Sequence, residues 1–308
     1  MNGEKVLVTG GAGFIGSHLV DALIELGAKV TVIDARKPKK TYKNESAKYK
    51  LMRIETEEAH IFVKKMKPAF IFHLAAHIHD RESIHEPVMN AENNIIGTLN
   101  LLEAIRAQKN VRFIFASTGG VIYGNQDDVP VTEQAEPRPL TPYAISKLTA
   151  ERYLDFYRST AGISYAALRF ANVFGPRQDS SAESGAIAIF TAALLKGDQA
   201  FINDDGETTR DYVYVKDVVR AFLLAAEADY SGVLNIGTGI ERSTKEIYAA
   251  VQEVIGTETG ADTREEIKDV VRRSALDASL AEEEINWEPQ TAFEDGLRET
   301  VDWYNDHL

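Results

Sequence analysis

"KVLVTGGAGFIGSHLVDALIELG" (residues 5–27) reads as a strand, a glycine turn and a helix in one unbroken run. "KVLVTG" (5–10) is short and β-rich. "FIGSHLVDALIELG" (14–27) places apolar residues at helical spacing and stops at a glycine, as helices often do. Between them stand Gly10, Gly13 and Gly16, spaced one residue away from the G-x-G-x-x-G fingerprint. A chain that turns so tightly from strand to helix can bring its backbone against a pyrophosphate and point helix N-terminal N–H groups at it. Glycines also serve ordinary turns; the strand before and the helix after decide here for dinucleotide binding. The next strand, "KVTVID" (29–34), ends at Asp34, where a carboxylate can hydrogen-bond the adenosine ribose hydroxyls. Its charge repels a 2′-phosphate and favours NAD over NADP, although Arg36 and Lys37 follow closely and can offset that repulsion.

The pattern continues outward from this unit. "PAFIFHLAA" (68–76), "VRFIFAS" (111–117) and "SYAALRFANVFG" (164–175) predict further strands. "NNIIGTLNLLEAIRAQ" (93–108) and "PYAISKLTAERYLDFYRST" (142–160) predict long helices, the second with Pro142 at its first position. Such alternation predicts an α/β fold with a doubly wound parallel sheet of the Rossmann kind. After Gly175 the regularity weakens. A polar loop (176–185) leads to a helical run (186–197), then "RDYVYVKDVVRAFLLAAEA" (210–228), "GVLNIGTG" (232–239) and two amphipathic stretches (243–256 and 292–307). No repeat or low-complexity linker separates two halves. The expected organisation is a Rossmann domain of 1–175 plus about 207–239, interleaved with a smaller α/β substrate-binding lobe of 176–206 and 240–308.

Composition narrows the function. A net charge of −13 argues against nucleic acid as partner, since that binding rests on Lys and Arg. No apolar run is long enough to cross a bilayer, and the N-terminus lacks the order of a signal peptide. The absence of cysteine removes disulfides, thiol nucleophiles and thiolate metal sites, which suits a cytoplasmic enzyme. The basic cluster 36–50 reads as a solvated loop. "HIHDRESIH" (77–85) reads as a polar pocket wall, since it has no companion ligand motif, and no metal is expected. His73 reads as a structural core histidine, and Trp287 and Trp303 as packing anchors.

Tyr143 and Lys147 stand four apart at the start of the helix 142–160, so both face one side. A phenol titrates near pH ~10 and is a poor base unless a cation stabilises its anion. Lys147 can do that and can also hold a nicotinamide ribose. Alone, such a pair is an ordinary helix surface. After a nucleotide loop and a strand ending in Ser117-Thr118, it becomes a candidate catalytic pair.

"TGGAGFIG", "FHLAA", "STGGVIYG", "PYAISK", "LRFANVFGPRQ" and "RDYVYVKD" together resemble the extended short-chain dehydrogenase/reductase family, nearest to its nucleotide-sugar epimerases of the UDP-glucose 4-epimerase kind. The resemblance implies a bound NAD contacted by Gly10, Gly13, Phe14, Ile15, Gly16, Asp34, Leu74, Ala75, Ala76, Asn94, Tyr143 and Lys147. It implies that Tyr143 takes the proton of the sugar 4-hydroxyl while hydride passes from C4 to NAD. Thr118, or Ser117, would hydrogen-bond the same oxygen. The implied partner is a nucleotide-diphosphate sugar, UDP-linked, met by Asn172, Arg177, Arg210, Arg272 and Ser274. A small residue at Ser274 would leave room for an N-acetyl group at C2. Arg169 is expected to be structural. A homodimer built from the helices near 93–108 and 142–160 is also implied.

Related 4,6-dehydratases carry Asp-Glu after the corresponding Thr, and UDP-xylose-forming decarboxylases carry a Glu. Gly119-Gly120 here offer neither, which points to a reaction of one hydride and one proton, as in 4-epimerisation. A 4-ketosugar reductase needs the same residues and is the nearest rival. A non-catalytic NAD-binding regulator is a third reading, opposed by the presence of Thr118, Tyr143 and Lys147 together. The chain departs from the family pattern at Ile267 and Val270, where a phosphate-binding Arg and a ribose-binding Asp are usual, with Arg272 or Arg264 as substitutes. Asn203 replaces an aromatic near the base, and Arg53 stands where an acidic residue usually touches adenine.

Overall fold

The computed structural model describes residues 1–78, 80–180, 185–203, 205–265 and 271–308. Its strands are β1 (Lys5–Thr9), β2 (Lys29–Asp34), β3 (Lys48–Leu51), β4 (Phe70–His73), β5 (Arg112–Thr118), β6 (Ser164–Phe170), β7 (Asn172–Phe174), β8 (Phe201–Asn203), β9 (Thr209–Tyr214), β10 (Gly232–Ile236), β11 (Glu241–Ser243) and β12 (Asp262–Arg264). Seven of them form one parallel sheet in the order β10-β6-β5-β4-β1-β2-β3. The chain winds outward from β1 to β3, then returns to β4 on the other side. That reversal opens a crevice beyond the carboxyl ends of β1 and β4, where sheets of this kind hold their ligands.

Strand periodicity explains the layers. Val6 and Val8 of β1 join one apolar cluster, while Leu7 between them joins the cluster on the opposite face. Both faces are buried, so the strands are apolar throughout rather than alternating. The helices Phe14–Glu25 and Val215–Glu227 cover the first face; Glu57–Met66, Gly97–Ile105 and Pro142–Ala161 cover the second. A third cluster, with Phe190, Tyr212 and Tyr248, is the core of the smaller lobe, and Phe14 and Ile15 of the first helix pack against it.

Several sequence expectations shift. The cluster 36–50 is not all loop: Lys48–Leu51 is the edge strand β3, and its exposed lysines discourage pairing with another chain. The run 164–175 is two strands, because the chain leaves the large sheet at Ala171 and β7 pairs with β9. β9, expected with the large sheet, lies between β7 and β11 in a separate three-stranded sheet. The helix expected from 93 begins at Pro87 and passes through a π turn, Glu92–Ile96, before Gly97–Ile105. Trp287 is fully buried and donates to the Asp217 carbonyl at 2.9 Å. Trp303 stacks on His307, 4.5 Å between ring centroids.

Candidate active site

The glycine loop is fixed by space as much as by conformation. Gly10 has a left-handed φ of 73°, and a Cβ there would lie 2.6 Å from the Ala75 nitrogen. A Cβ on Gly16 would lie 2.2 Å from the Gly10 carbonyl oxygen. Gly13, which precedes the first helical residue, has only the Gly10 oxygen near, at 3.3 Å, and otherwise faces the cleft. Asp34 is oriented by two backbone donors, Ala12 N–H at 3.0 Å and Arg36 N–H at 2.9 Å.

From this loop one cleft runs along the carboxyl ends of the sheet. Gly10, Gly13, Phe14, Ile15, Gly16 and Asp34 form its floor and one end, with Leu74, Ala75 and Ala76 as a wall beyond β4. Ala116, Tyr143, Lys147 and Phe170 close the other end. Arg53, expected near adenine, lines the cleft after β3, and sequence reasoning missed its neighbours Met52, Ile54 and Glu55, and Asn93, which also line it. Arg53 is paired with Glu55 there, leaving Glu55 Oε2 buried and without a hydrogen-bond partner among the described residues. The acid absent at position 53 therefore stands two residues later. Acidic residues between 53 and 58 were the available signal.

Pro142–Ala161 starts under a Thr141 cap that accepts from the Ala144 N–H at 3.3 Å, which aims its first turn at the cleft. Tyr143 donates its backbone N–H to Ser83 Oγ at 3.2 Å. Lys147 is 2% exposed; its Nζ donates to the Ala116 carbonyl at 2.8 Å and lies 5.9 Å from the Tyr143 ring centroid. Burial pulls the Lys147 pKa down from 10.5 to about 7, with the Glu151 carboxylate opposing the fall. Beneath it, His73 sits between Thr9 Oγ1 (2.6 Å) and Thr98 Oγ1 (2.9 Å). Burial, then the Lys147 charge, lower its pKa to about 3, so it stays neutral as a core residue.

β5 separates its two terminal hydroxyls, because successive strand side chains point to opposite faces. Ser117 donates to Glu151 at 2.5 Å, inside a buried network. Glu151 also receives Arg169 Nε at 3.0 Å and Nη2 at 2.6 Å; Arg169 reaches the Tyr123 hydroxyl, and Tyr123 reaches Asn235. Thr118 caps the short helix after β5 without using its side chain. The glycines that follow are filled from outside. A Cβ on Gly119 would lie 2.5 Å from a Leu276 methyl, and one on Gly120 would lie 3.3 Å from Asn172 Oδ1. Leu276 is held there because its N–H donates to the buried Asp211, which also receives Thr238 and Gly239.

Ser117 lines the cleft, whereas Asn94 and Arg177 are not among its lining residues. The Ser117 hydroxyl donates to Glu151. Asn94 lies buried below the cleft, accepting the His77 N–H at 2.8 Å and donating to Ser146 Oγ at 2.9 Å. The extra residue of the π turn puts Asn93 on the cleft instead. Arg177 pairs with Asp21 at 2.8 Å, on the first helix. Of the residues expected to meet the nucleotide sugar, Arg210 and Arg272 are brought together, Nη1 of Arg210 lying 3.5 Å from the Arg272 carbonyl. Asn172 borders Gly120, and Ser274 is buried in the same segment as Leu276. Arg264 is committed to Asn203, Nε to Oδ1 at 2.7 Å. Ile267 and Val270 lie outside the described residues, as does His79 of the "HIHDRESIH" stretch.

The fold and the cleft define an enzyme class, one that works through a dinucleotide laid across a doubly wound sheet. The chain belongs to the NAD dependent epimerase/dehydratase family, whose profile matches residues 6–237. It is similar to the UDP-glucose 4-epimerase of Thermotoga maritima solved with UDP-glucose, at 43% identity and TM-score 0.95 over 98% of this chain and 99% of that one. The Thermus thermophilus UDP-glucose 4-epimerase solved with NAD is 36% identical, with TM-score 0.92 over 99% and 100%. The UDP-N-acetylglucosamine 4-epimerase of Methanobrevibacter ruminantium, solved with UDP-N-acetylmuramic acid, is 34% identical, with TM-score 0.94 over the full length of both chains. Among the described residues, no helix is long and apolar enough to cross a membrane.

Proposed function

We propose that this protein is a UDP-sugar 4-epimerase that keeps NAD bound, interconverting UDP-glucose with UDP-galactose and accepting the N-acetylhexosamine forms. The observation that carries the reading is the cleft end where Tyr143 and Lys147 converge while Leu276 and Asn172 occupy the space beside Gly119 and Gly120. A proton-transfer group is present for one sugar hydroxyl, while a side chain at 119 would meet Leu276 and one at 120 would press on Asn172 Oδ1.

The residues suit the cofactor. Gly13 leaves its side of the cleft open to a pyrophosphate, Asp34 stands at the ribose end, and the unpartnered Glu55 oxygen suits an adenine amino group. Bound there, NAD would supply a reversible hydride acceptor for the sugar C4. Tyr143 removes the proton from the 4-hydroxyl and restores it at the end of the cycle. Lys147, dehydrated and adjacent, favours the Tyr143 anion through its charge and anchors itself on the Ala116 carbonyl. Thr118 orients the reacting oxygen; Arg210, Arg272 and Asn172 receive the diphosphate end. Ser274, small and buried, leaves room at C2.

A second copy of the chain pairs across the helices 87–105 and 142–161, which expose Val88, Ile96, Ile145 and Phe156. The cytoplasm, where nucleotide sugars and NAD are available, is the compartment we assign. The deciding experiment incubates the purified protein with UDP-glucose, UDP-galactose and their N-acetyl forms without added cofactor. Interconversion is expected. Product formed only when NADH or NADPH is supplied would replace this reading with a 4-ketosugar reductase, and neglect of the N-acetyl forms would confine the substrate to hexoses.

A further inference from the structure

The helix Phe14–Glu25 starts at the cofactor cleft, and one of its faces is gripped by the segment that follows β7. Phe14, His18 and Asp21 stand at i, i+4 and i+7, a single stripe of that helix. Phe14 lines the cleft and packs against the core of the smaller lobe. One turn on, the His18 ring meets Phe14 edge-on, 6.1 Å between centroids, and its Nε2 lies 2.9 Å from the Pro176 carbonyl. Burial holds the His18 pKa down near 4, so a neutral ring can donate this hydrogen bond around pH 7. A further turn on, Asp21 binds two partners, Arg177 Nη1 at 2.8 Å and Asn44 Nδ2 at 2.8 Å. The Arg177 guanidinium also lies 5.5 Å from the Tyr42 ring centroid. Arg177 makes these contacts from a left-handed φ of 70°, uncommon for a residue with a side chain.

Three pieces of chain therefore meet at Asp21. They are the helix whose N-terminus faces the pyrophosphate site, the segment 36–44 that leaves Asp34 and carries Arg36 on the cleft, and Pro176–Arg177. We propose that Asp21, Arg177, Tyr42 and His18 form a clasp between the lobes that keeps the dinucleotide from leaving, with Arg177 a positioning residue for cofactor retention rather than a contact to the nucleotide sugar. This rests on the reading that NAD is the resident cofactor. Release from the adenosine end requires the 36–44 segment and the 176–177 segment to part from the first helix. The clasp contacts break in that opening and are intact in the closed form, so they act mainly on the dissociation rate. An enzyme that regenerates its own NAD in each turnover benefits from such retention.

The test loads the full-length protein with labelled NAD, chases with excess unlabelled NAD and follows release. Arg177→Gln and Asp21→Asn are each expected to speed release about tenfold, a 1.4 kcal/mol change in the barrier. The exchanged pair Asp21→Arg/Arg177→Asp is expected to return the rate towards wild type, a rescue that simple loss of folding stability would not produce. UDP affinity, titrated on the same proteins, is expected to stay within about twofold. Release from Arg177→Gln at the wild-type rate overturns the clasp. So does weakened UDP binding with unchanged NAD release, which would return Arg177 to the substrate site. A wild-type protein that takes up no NAD overturns the cofactor reading itself, a result distinct from either.

Discussion

At the cofactor end of the cleft, neighbours in space are mostly neighbours in sequence: the floor is Gly10 to Gly16, the wall Leu74 to Ala76, and the acid stands at the tip of β2. At the proposed sugar end, Thr118, Asn172, Arg210, Arg272 and Ser274 come from four distant stretches, with β7 and β9 tied in the three-stranded sheet β11-β9-β7 and Leu276 held by the buried Asp211. The first end is made by backbone geometry, which tolerates almost no side chain. The second is made by tertiary hydrogen bonds, which fix positions and leave residue identity freer. Substitutions at the two ends should fail differently, the first in cofactor and chemistry, the second in substrate affinity.

Tyr143→Phe is the strongest test of that division. It should lower kcat by about 10³, within the range for removing a general acid–base group, while retained NAD is unchanged. Undiminished turnover would remove Tyr143 from the chemistry. Lys147→Met should lower kcat by about 10² and yet stabilise the protein without cofactor. Lys147 in the fold has a pKa depressed to about 7 from 10.5, so the unfolded chain binds more protons between those values and native stability rises as pH climbs through them. Below that window the buried ammonium is a full burden, on the order of 5 kcal/mol. The Met variant should therefore melt higher than wild type at pH 6.5, with the gap closing towards pH 10. A gap independent of pH would mean that Lys147 is not desolvated as described.

Those residues were legible because their signals are local. A strand, a glycine turn and a helix lie within one window, and i,i+4 spacing places Tyr143 and Lys147 together without knowledge of the rest. β3 was hidden because charged lysines on an edge strand look like a loop, and β7 because no break in the apolar run marks Ala171. The Asp21 partner of Arg177 was not legible because it stands 156 residues away, beyond any periodicity. The burial of Asn94 was not legible because a π turn shifts the helical register by one residue, and propensity carries no sign of that.

The sugar end supplies the next test. Arg210→Ala should raise KM for the UDP-sugar about tenfold, the loss of roughly one charge-assisted hydrogen bond, with kcat and NAD release little altered. A matching fall in kcat would show that Arg210 orients the sugar for reaction, and the boundary between the two ends would then blur.

The smallest expected effects fall on Ser117 and Thr118, adjacent residues on opposite faces of β5. Ser117→Ala removes one of three donors to Glu151 but leaves the bidentate Arg169 pair, so the carboxylate stays compensated. The cost should be about 1 kcal/mol, a melting shift of about 2–4 °C for a chain of this size, with kcat essentially kept. Thr118→Ala should do the reverse, holding the melting temperature and lowering kcat several-fold, because its hydroxyl takes no part in the cap of the helix it precedes. Equal losses of activity in the two variants would mean that the Ser117–Glu151 bond transmits to the reacting oxygen through the Ala116 carbonyl that anchors Lys147. The strand end, the lysine and the buried Arg169 network would then have to be treated as one unit.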